Sequence, residues 1–166
     1  VLLENHPLFT ILALDGSIEM LDKAQHRLSR FSKRCQCQLF DLASDSWRGF
    51  KFSVDAIVSS LAIHHLTGPL KQVLFQDLYK LLSPGGLLII ADVLEVASMA
   101  GRKLAADEWD RAVRQRSFDL DGNYKAFEFF EREGWNMHRH LDPNDIDKPS
   151  PIFSQLKWLE NAGFIQ

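Results

Sequence analysis

Two aspartates, each at the end of a short apolar run, are the clearest candidates for chemistry in this chain. Residues 10–14 read Thr-Ile-Leu-Ala-Leu before Asp15, and residues 37–40 read Cys-Gln-Leu-Phe before Asp41. An acid at the carboxyl end of a parallel strand faces the crevice in which open α/β sheets bind ligands. Two such acids on successive strands can accept hydrogen bonds from the ribose hydroxyls and the adenine amino group of one nucleoside. The pair therefore predicts part of an enzyme that uses a nucleoside cofactor.

Short apolar segments that alternate with helical patterns would position these acids. Strands are predicted at residues 9–14, 35–40, 54–59 and 87–91, and the alternation favours a parallel sheet with right-handed crossovers. Ser17 is expected to cap the first long helix, because its hydroxyl can accept a free amide of the first turn. A helix that begins at Pro69 is predicted to end at Ser-Pro-Gly-Gly, residues 83–86. Its predicted buried face consists of Leu70, Val73, Leu74, Leu78, Leu81 and Leu82.

The pattern changes after the fourth strand. Residues 97–135 are predicted to be helical, and they are charged and rich in aromatic side chains. Residues 135–151 are polar, contain Pro143 and are predicted to form a loop. Ser150 and Pro151 are expected to start a last helix, which ends at Gly163. Residues 97–150 are therefore interpreted as an insert of helix and loop that forms a substrate lid. Its aromatic side chains can form the core of the insert, the walls of an apolar substrate pocket, or both.

Length, charge and cysteine content disfavour several classes of protein. The 166 residues suffice for one domain, and the net charge of −3 argues against a nucleic-acid partner or an anionic membrane surface. The longest apolar runs are too short to span a bilayer, and no signal peptide is expected. Cys35 and Cys37 are expected to lie on one face of a strand as reduced thiols, which favours a cytoplasmic protein. The chain opens at Val1 like the end of a helix, and both ends are expected to lie inside a larger domain.

Four segments together resemble the class I S-adenosylmethionine-dependent methyltransferases, particularly the bacterial small-molecule type. They are residues 14–21 (LDGSIEML), 40–42 (FDL), 54–66 (VDAIVSSLAIHHL) and 81–87 (LLSPGGL). The resemblance implies an α/β fold, a Rossmann-like doubly wound parallel sheet, incomplete at both ends. The family's glycine-rich loop would lie upstream of Val1 and its final hairpin after Gln166.

The resemblance also implies the activity and a role for particular residues. The expected reaction is methyl transfer from the cofactor S-adenosylmethionine to a small-molecule acceptor, with the methylated atom undetermined. Asp15 would bind the ribose hydroxyls, and His65 would line the reaction pocket. The other residues expected at the cofactor are Gly16, Ser17 and Met20 in the turn beside the adenine, Asp41 and Leu42 at the adenine, and Ser60 and Leu61 at the methionine part.

Each of these residues has a structural alternative. Asp15 can be a capping acid, and Met20 fits equally well as packing. His64 and His65 can be one packed and one solvated imidazole. No metal site is expected, because no set of His, Cys, Asp or Glu with metal spacing accompanies the pair. A base role for His65 is compatible with its ordinary pKa near neutrality, and Asp92, after the fourth strand, could orient a substrate.

Two other classes of protein remain open at the level of sequence. A nicotinamide-dependent oxidoreductase also places an acid after its second strand to hold the ribose. A non-catalytic module could keep the fold to bind a partner. RNA methylation is a lesser alternative, which the acidic balance disfavours. The oligomeric state cannot be read from the residues.

Overall fold

The computed structural model describes residues 2–45, 48–50, 52–140 and 146–165 of the chain. It separates into two compact units, residues 1–56 with 80–87 and residues 57–79 with 88–166. The predicted start of the chain at Val1 and the predicted loop position of Pro143 lie outside the described residues.

The first unit contains a parallel strand pair. A short helix α1 (Leu2–Asn5) precedes strand β1 (Ile11–Asp15), which pairs in parallel with β2 (Cys35–Leu39). Helix α2 (Ile18–Leu28) connects the two strands and continues into a 3₁₀ turn, Ser29–Phe31. The parallel pairing and the helical crossover confirm the predicted α/β arrangement of this segment.

Arg34 ties the start of this unit to the start of β2. Its guanidinium donates to the backbone carbonyls of Leu3 at 2.8 Å and of His6 and Phe9 at 3.1 Å. One guanidinium thus binds three backbone carbonyls, since its planar fork suits several acceptors at once.

Strand β3 (Val54–Ser60) pairs with β4 (Leu82–Ala91), which begins earlier than predicted. Residues 83–86 belong to the strand, because Gly85 and Gly86 let the backbone bend while the strand continues. Gly85 has φ +80°, which glycine adopts without a steric penalty. A Cβ at Gly86 would lie 3.1 Å from the carbonyl oxygen of Asp55, so the two strands approach closely there.

Helix α3 (Gly68–Leu81) buries a different face from the one predicted. Its buried residues are Lys71, Leu74, Phe75 and Leu78, whereas Leu70 and Val73 are exposed. The pattern of leucines missed this face because a lysine belongs to it, and a lysine is rarely buried unless its ammonium is paired. Ile63 and Leu66, just before α3, are buried as well.

The insert is helical, as predicted, but it is broken. Helix α4 (Met99–Asp121) begins after Ser98, whose hydroxyl accepts from the Gly101 amide at 3.0 Å, and ends at Gly122. Gly122 has φ +65°, the left-handed conformation with which many helices end. Helix α5 (Lys125–Arg132) follows.

A short parallel pair brackets the insert. Strand β5 (Leu94–Glu95) pairs with β6 (Ser150–Pro151), so Ser150 and Pro151 are extended rather than helical. Helix α6 (Ile152–Ala162) starts after them and ends at Gly163, whose φ of +110° confirms the predicted stop. No helix within the described ranges is both long and apolar enough to cross a bilayer.

Candidate functional site

Asp15 and Asp41 follow the same edge of the β1–β2 pair. Asp15 is in register with Leu39, and its carbonyl accepts from the Phe40 amide at 3.1 Å, one residue before Asp41. Oδ1 of Asp15 accepts from the Ser17 amide at 2.8 Å, and Oδ1 of Asp41 accepts from the Ala43 amide at 2.9 Å. Among the described residues, the second oxygen of each carboxylate has no hydrogen-bond partner. Each acid is thus held by its own turn with an oxygen left for a ligand.

The turn after Asp15 consists of Gly16 and Ser17. A Cβ at Gly16 would be 3.5 Å from the Phe40 carbonyl oxygen, and Gly16 itself is exposed. Ser17 caps α2 as predicted, because its Oγ accepts from the Met20 amide at 3.3 Å. Met20 is 52% exposed. Leu42, beside Asp41, is half-buried.

The loop after β3, in the second unit, holds an unusual backbone conformation at Leu61. Leu61 is the one described non-glycine residue with positive φ, at 50°, and its side chain is exposed. Its amide donates to the Ala91 carbonyl at 2.9 Å, which helps hold it there. Such a conformation costs about 1–3 kcal/mol and is concentrated at functional sites. Ser60, the exposed last residue of β3, precedes it.

His64 and Asp92 form the buried base of this loop. The Asp92 side chain is 4% exposed. Its Oδ2 accepts from the Ile63 amide at 2.7 Å and the His64 amide at 3.1 Å, and its Oδ1 contacts Nδ1 of His64 and accepts from its own neighbour, Val93. These bonds occupy both oxygens within the protein. Asp92 therefore shapes the histidine loop and does not face a substrate, contrary to the expectation from its place after β4.

His65 is the accessible member of the histidine pair, with 46% of its side chain exposed. Its Nδ1 lies 3.0 Å from Oδ1 of Asp147, and the same oxygen lies 3.3 Å from Nε2 of His64. One buried and one solvated imidazole match the structural alternative drawn from the sequence. Asp147 was missed by sequence reasoning, because it lies far along the chain and no spacing links it to the pair.

Lys71 positions the segment that carries Asp147. The side chain of Lys71 is fully buried, and its Nζ donates to the Lys148 carbonyl at 2.5 Å and to the Ser150 hydroxyl at 2.9 Å. The Lys148 amide donates to the His64 carbonyl at 2.7 Å. Burial lowers the pKa of Lys71, and the nearby carboxylates of Asp92 and Glu95 offset this only in part.

The aromatic residues of the insert divide into a packed group and an exposed group. The Trp109 ring packs against those of Phe130 and His138, with ring centres 6.3 and 5.5 Å apart. In contrast, Phe118 and Tyr124 stack on one another and remain exposed. The insert therefore has its own small aromatic core and an aromatic surface.

The comparison with protein families decides what kind of domain this is. A family model described as "Methyltransferase domain" matches residues 1–88, more than half of the chain. The chain belongs to this methyltransferase family. The resemblance found in the sequence is thereby confirmed, and membership disfavours the nicotinamide oxidoreductase.

Curated relatives agree with this assignment. An uncharacterized methyltransferase of Bacillus mycoides (strain KBAB4) is 28% identical over 125 residues, which are 74% of this chain and 53% of the relative. The carboxy-S-adenosyl-L-methionine synthase of Trichodesmium erythraeum (strain IMS101) is 32% identical over 82 residues, 49% of this chain and 32% of the relative. The chain thus spans about half, or less, of the length of the relatives it matches.

Solved structures show the fold. An O-methyltransferase family 2 protein from Planctomyces limnophilus DSM 3776, in complex with apigenin, matches with a TM-score of 0.56 and 18% identity over 96% of this chain and 38% of that one. PKMT2 from Rickettsia typhi, in complex with AdoHcy, matches with a TM-score of 0.59 and 14% identity over 96% of this chain and 35% of that one. The predicted α/β, Rossmann-like class I methyltransferase fold is confirmed.

Proposed function

We propose that the complete protein transfers a methyl group from S-adenosylmethionine to a small-molecule acceptor. The observation that carries this proposal is the pair of acids at the β1–β2 edge. Asp15 and Asp41 each use one carboxylate oxygen to hold a turn and keep the other for a ligand. Family membership and the AdoHcy in the complex from Rickettsia typhi support the same cofactor.

The residues of the first unit fit the nucleoside part of this cofactor. Asp15 is assigned to the ribose hydroxyls, because an ionised carboxylate can accept from two neighbouring hydroxyl groups. Gly16 leaves room beside the strand ends, and the exposed Met20 offers an apolar surface to a base. Ser17 closes the turn, and Asp41 with Leu42 is assigned to the adenine.

The residues of the second unit are assigned separately. Ser60 and Leu61 would contact the methionine part mainly through their backbone, which the positive φ of Leu61 holds in an uncommon orientation. The bound cofactor supplies an electrophilic methyl group on a sulfonium. The protein has to align the acceptor with that methyl group and exclude water, and alignment alone can supply much of the rate enhancement. His65 is assigned as the base that accepts a proton from a hydroxyl acceptor, since its imidazole is exposed and oriented by Asp147.

The insert, residues 97–150, is assigned as the lid that selects the acceptor. Its exposed rings at Phe118 and Tyr124 suit an apolar or aromatic compound, and the Planctomyces limnophilus protein was solved with apigenin. A net charge of −3 supports a small molecule over a nucleic acid. The two free thiols, Cys35 and Cys37, support a cytoplasmic location.

An acceptor screen tests the proposal. The complete protein is incubated with S-adenosylmethionine and a panel of phenols, carboxylates and amines, and the formation of S-adenosylhomocysteine is measured by mass spectrometry. We expect turnover with at least one class, reduced about 10- to 100-fold in Asp15→Asn at low cofactor concentration and retained in Asp22→Asn, an exposed acid on α2. Absence of turnover together with absence of cofactor binding by folded protein would overturn the proposal.

A further inference from the structure

The cluster formed by His64, His65 and Asp147 presents three metal-ligating atoms to one point. All three side chains belong to the second unit, and their ligand atoms lie within 4.8 Å of one another. We propose that these three residues bind a divalent first-row transition-metal ion, with zinc as the best match. The proposal does not depend on methyl transfer, because metal binding is measured without cofactor or acceptor.

The distances fit the coordination shell of such an ion. Around a tetrahedral zinc ion with bonds of about 2.0–2.1 Å, ligand atoms lie about 3.3 Å apart. Oδ1 of Asp147 lies 3.3 Å from Nε2 of His64 and 3.0 Å from Nδ1 of His65. The ligand atoms of the two imidazoles lie within 4.8 Å of one another, so this third edge has to shorten when an ion binds. Two imidazoles and one carboxylate are also the ligand types that zinc and its neighbours prefer.

The contacts of His64 leave its outer nitrogen facing a carboxylate. Nδ1 of His64 contacts Oδ1 of Asp92, and Nε2 lies 3.3 Å from Oδ1 of Asp147. A metal ion placed between Nε2 and this oxygen would be bound by both atoms. A carboxylate behind a ligating histidine is the usual support of such sites.

Anchoring of the backbone favours the ion as well. The backbone of Lys148 is held at both its amide, by His64, and its carbonyl, by Lys71. Asp147 is therefore placed before any ion arrives, and little ordering remains to oppose binding.

The exposure of His65 indicates the side from which solvent would reach the ion. His65 is 46% exposed, so the side of the ion opposite the buried His64 faces solvent. Three protein ligands with an open fourth position are the pattern of zinc sites that bind water or a substrate oxygen. With the ion bound, Nδ1 of His65 is a ligand, and its assignment as a base applies to the metal-free protein.

Calorimetry on metal-free protein tests the site directly, with ZnCl₂ as the ligand and the visible absorption of Co²⁺ as a second probe. We expect saturable binding of one ion per chain and no binding of Mg²⁺, which prefers oxygen ligands. His65→Asn and Asp147→Asn should abolish binding. Asp92→Asn should weaken it about 10- to 100-fold, because Asp92 supports His64 without being a ligand itself. The control His140→Asn, an exposed histidine outside the cluster, should bind as wild type does.

Two results would overturn the proposal. The first is folded wild-type protein, checked by circular dichroism, that binds neither Zn²⁺ nor Co²⁺. Alternatively, binding could persist in both His65→Asn and Asp147→Asn, which would place the ion elsewhere. Both variants change partly exposed side chains, so the test does not depend on altering the buried His64.

Discussion

Lys71 and Ser150, distant in sequence, meet in a buried hydrogen bond of 2.9 Å between ammonium and hydroxyl. The same ammonium donates to the Lys148 carbonyl, so α3 holds the segment 148–150 in place. Asp147, which contacts both histidines, directly precedes this segment. The position of Asp147 beside the histidine loop is therefore coupled to the buried Lys71.

Because of Lys71, the free energy of unfolding should change with pH in the alkaline range. Burial lowers its pKa in the folded protein below the ordinary 10.5. Between the lowered pKa and 10.5, the unfolded chain binds a proton that the folded chain has lost, so the free energy of unfolding rises with pH. We expect urea denaturation to show this rise in the wild type and a smaller one in Lys71→Met. Lys125→Met, an exposed lysine on α5, should keep the wild-type rise. An identical rise in Lys71→Met would contradict the prediction.

His138 should make the free energy of unfolding depend on pH in the acidic range. Its burial first, and the positive charge of Arg102 second, lower the pKa of His138 below 6.5. As the pH falls below 6.5, the unfolded chain takes up a proton that the folded chain resists, and the free energy of unfolding decreases. His138→Gln should therefore lose less stability on acidification than the wild type. The exposed His26 provides the control: His26→Gln should follow the wild-type curve. If both variants follow it, His138 does not contribute.

Gly163 should be intolerant of any side chain. It ends α6 at φ +110°, and a Cβ there would lie 2.7 Å from Cζ of Tyr79. Gly122 ends α4 at φ +65°, where a Cβ would meet nothing within 4 Å. Gly122→Ala should thus cost about 1–2 kcal/mol for its backbone alone. Gly163→Ala should cost more, since the Tyr79 ring must also move. Equal losses in urea denaturation would show that the ring yields freely.

His65 should affect turnover and leave cofactor affinity unchanged. If the metal-free protein uses this imidazole as a base, His65→Asn should lower kcat about 10²- to 10⁴-fold with a hydroxyl acceptor. The affinity for S-adenosylmethionine, measured by calorimetry, should not change. His140→Asn serves as the matched control in both assays. An unchanged kcat would assign His65 to another role.

The sequence predicted features that depend on neighbouring residues. The acids at the ends of β1 and β2, the cap at Ser17 and the stop at Gly163 each follow from a few adjacent residues, and the structure has all of them. Cys35 and Cys37 share the less exposed face of β2, as alternation along a strand requires.

Features that depend on distant residues could not be predicted in the same way. The burial of Lys71 requires acceptors at Lys148 and Ser150, which the spacing of apolar residues in the sequence does not predict. Asp147 joins the histidines only through the fold, and Asp92, expected to orient a substrate, accepts from backbone amides of the histidine loop. The roles of residues at the cofactor remain predictions, since they depend on a ligand.

Calorimetric titration of the complete protein with S-adenosylmethionine tests the central claim most directly. Asp15→Asn keeps an oxygen for the Ser17 amide but removes the charge offered to the ribose, and Asp22→Asn removes an exposed acid from the same unit. We predict binding by the wild type and by Asp22→Asn, with about 10- to 100-fold weaker binding by Asp15→Asn, since hydrogen bonds to a charged group contribute about 1.5–3 kcal/mol. Folded wild-type protein that binds neither S-adenosylmethionine nor S-adenosylhomocysteine would contradict the account.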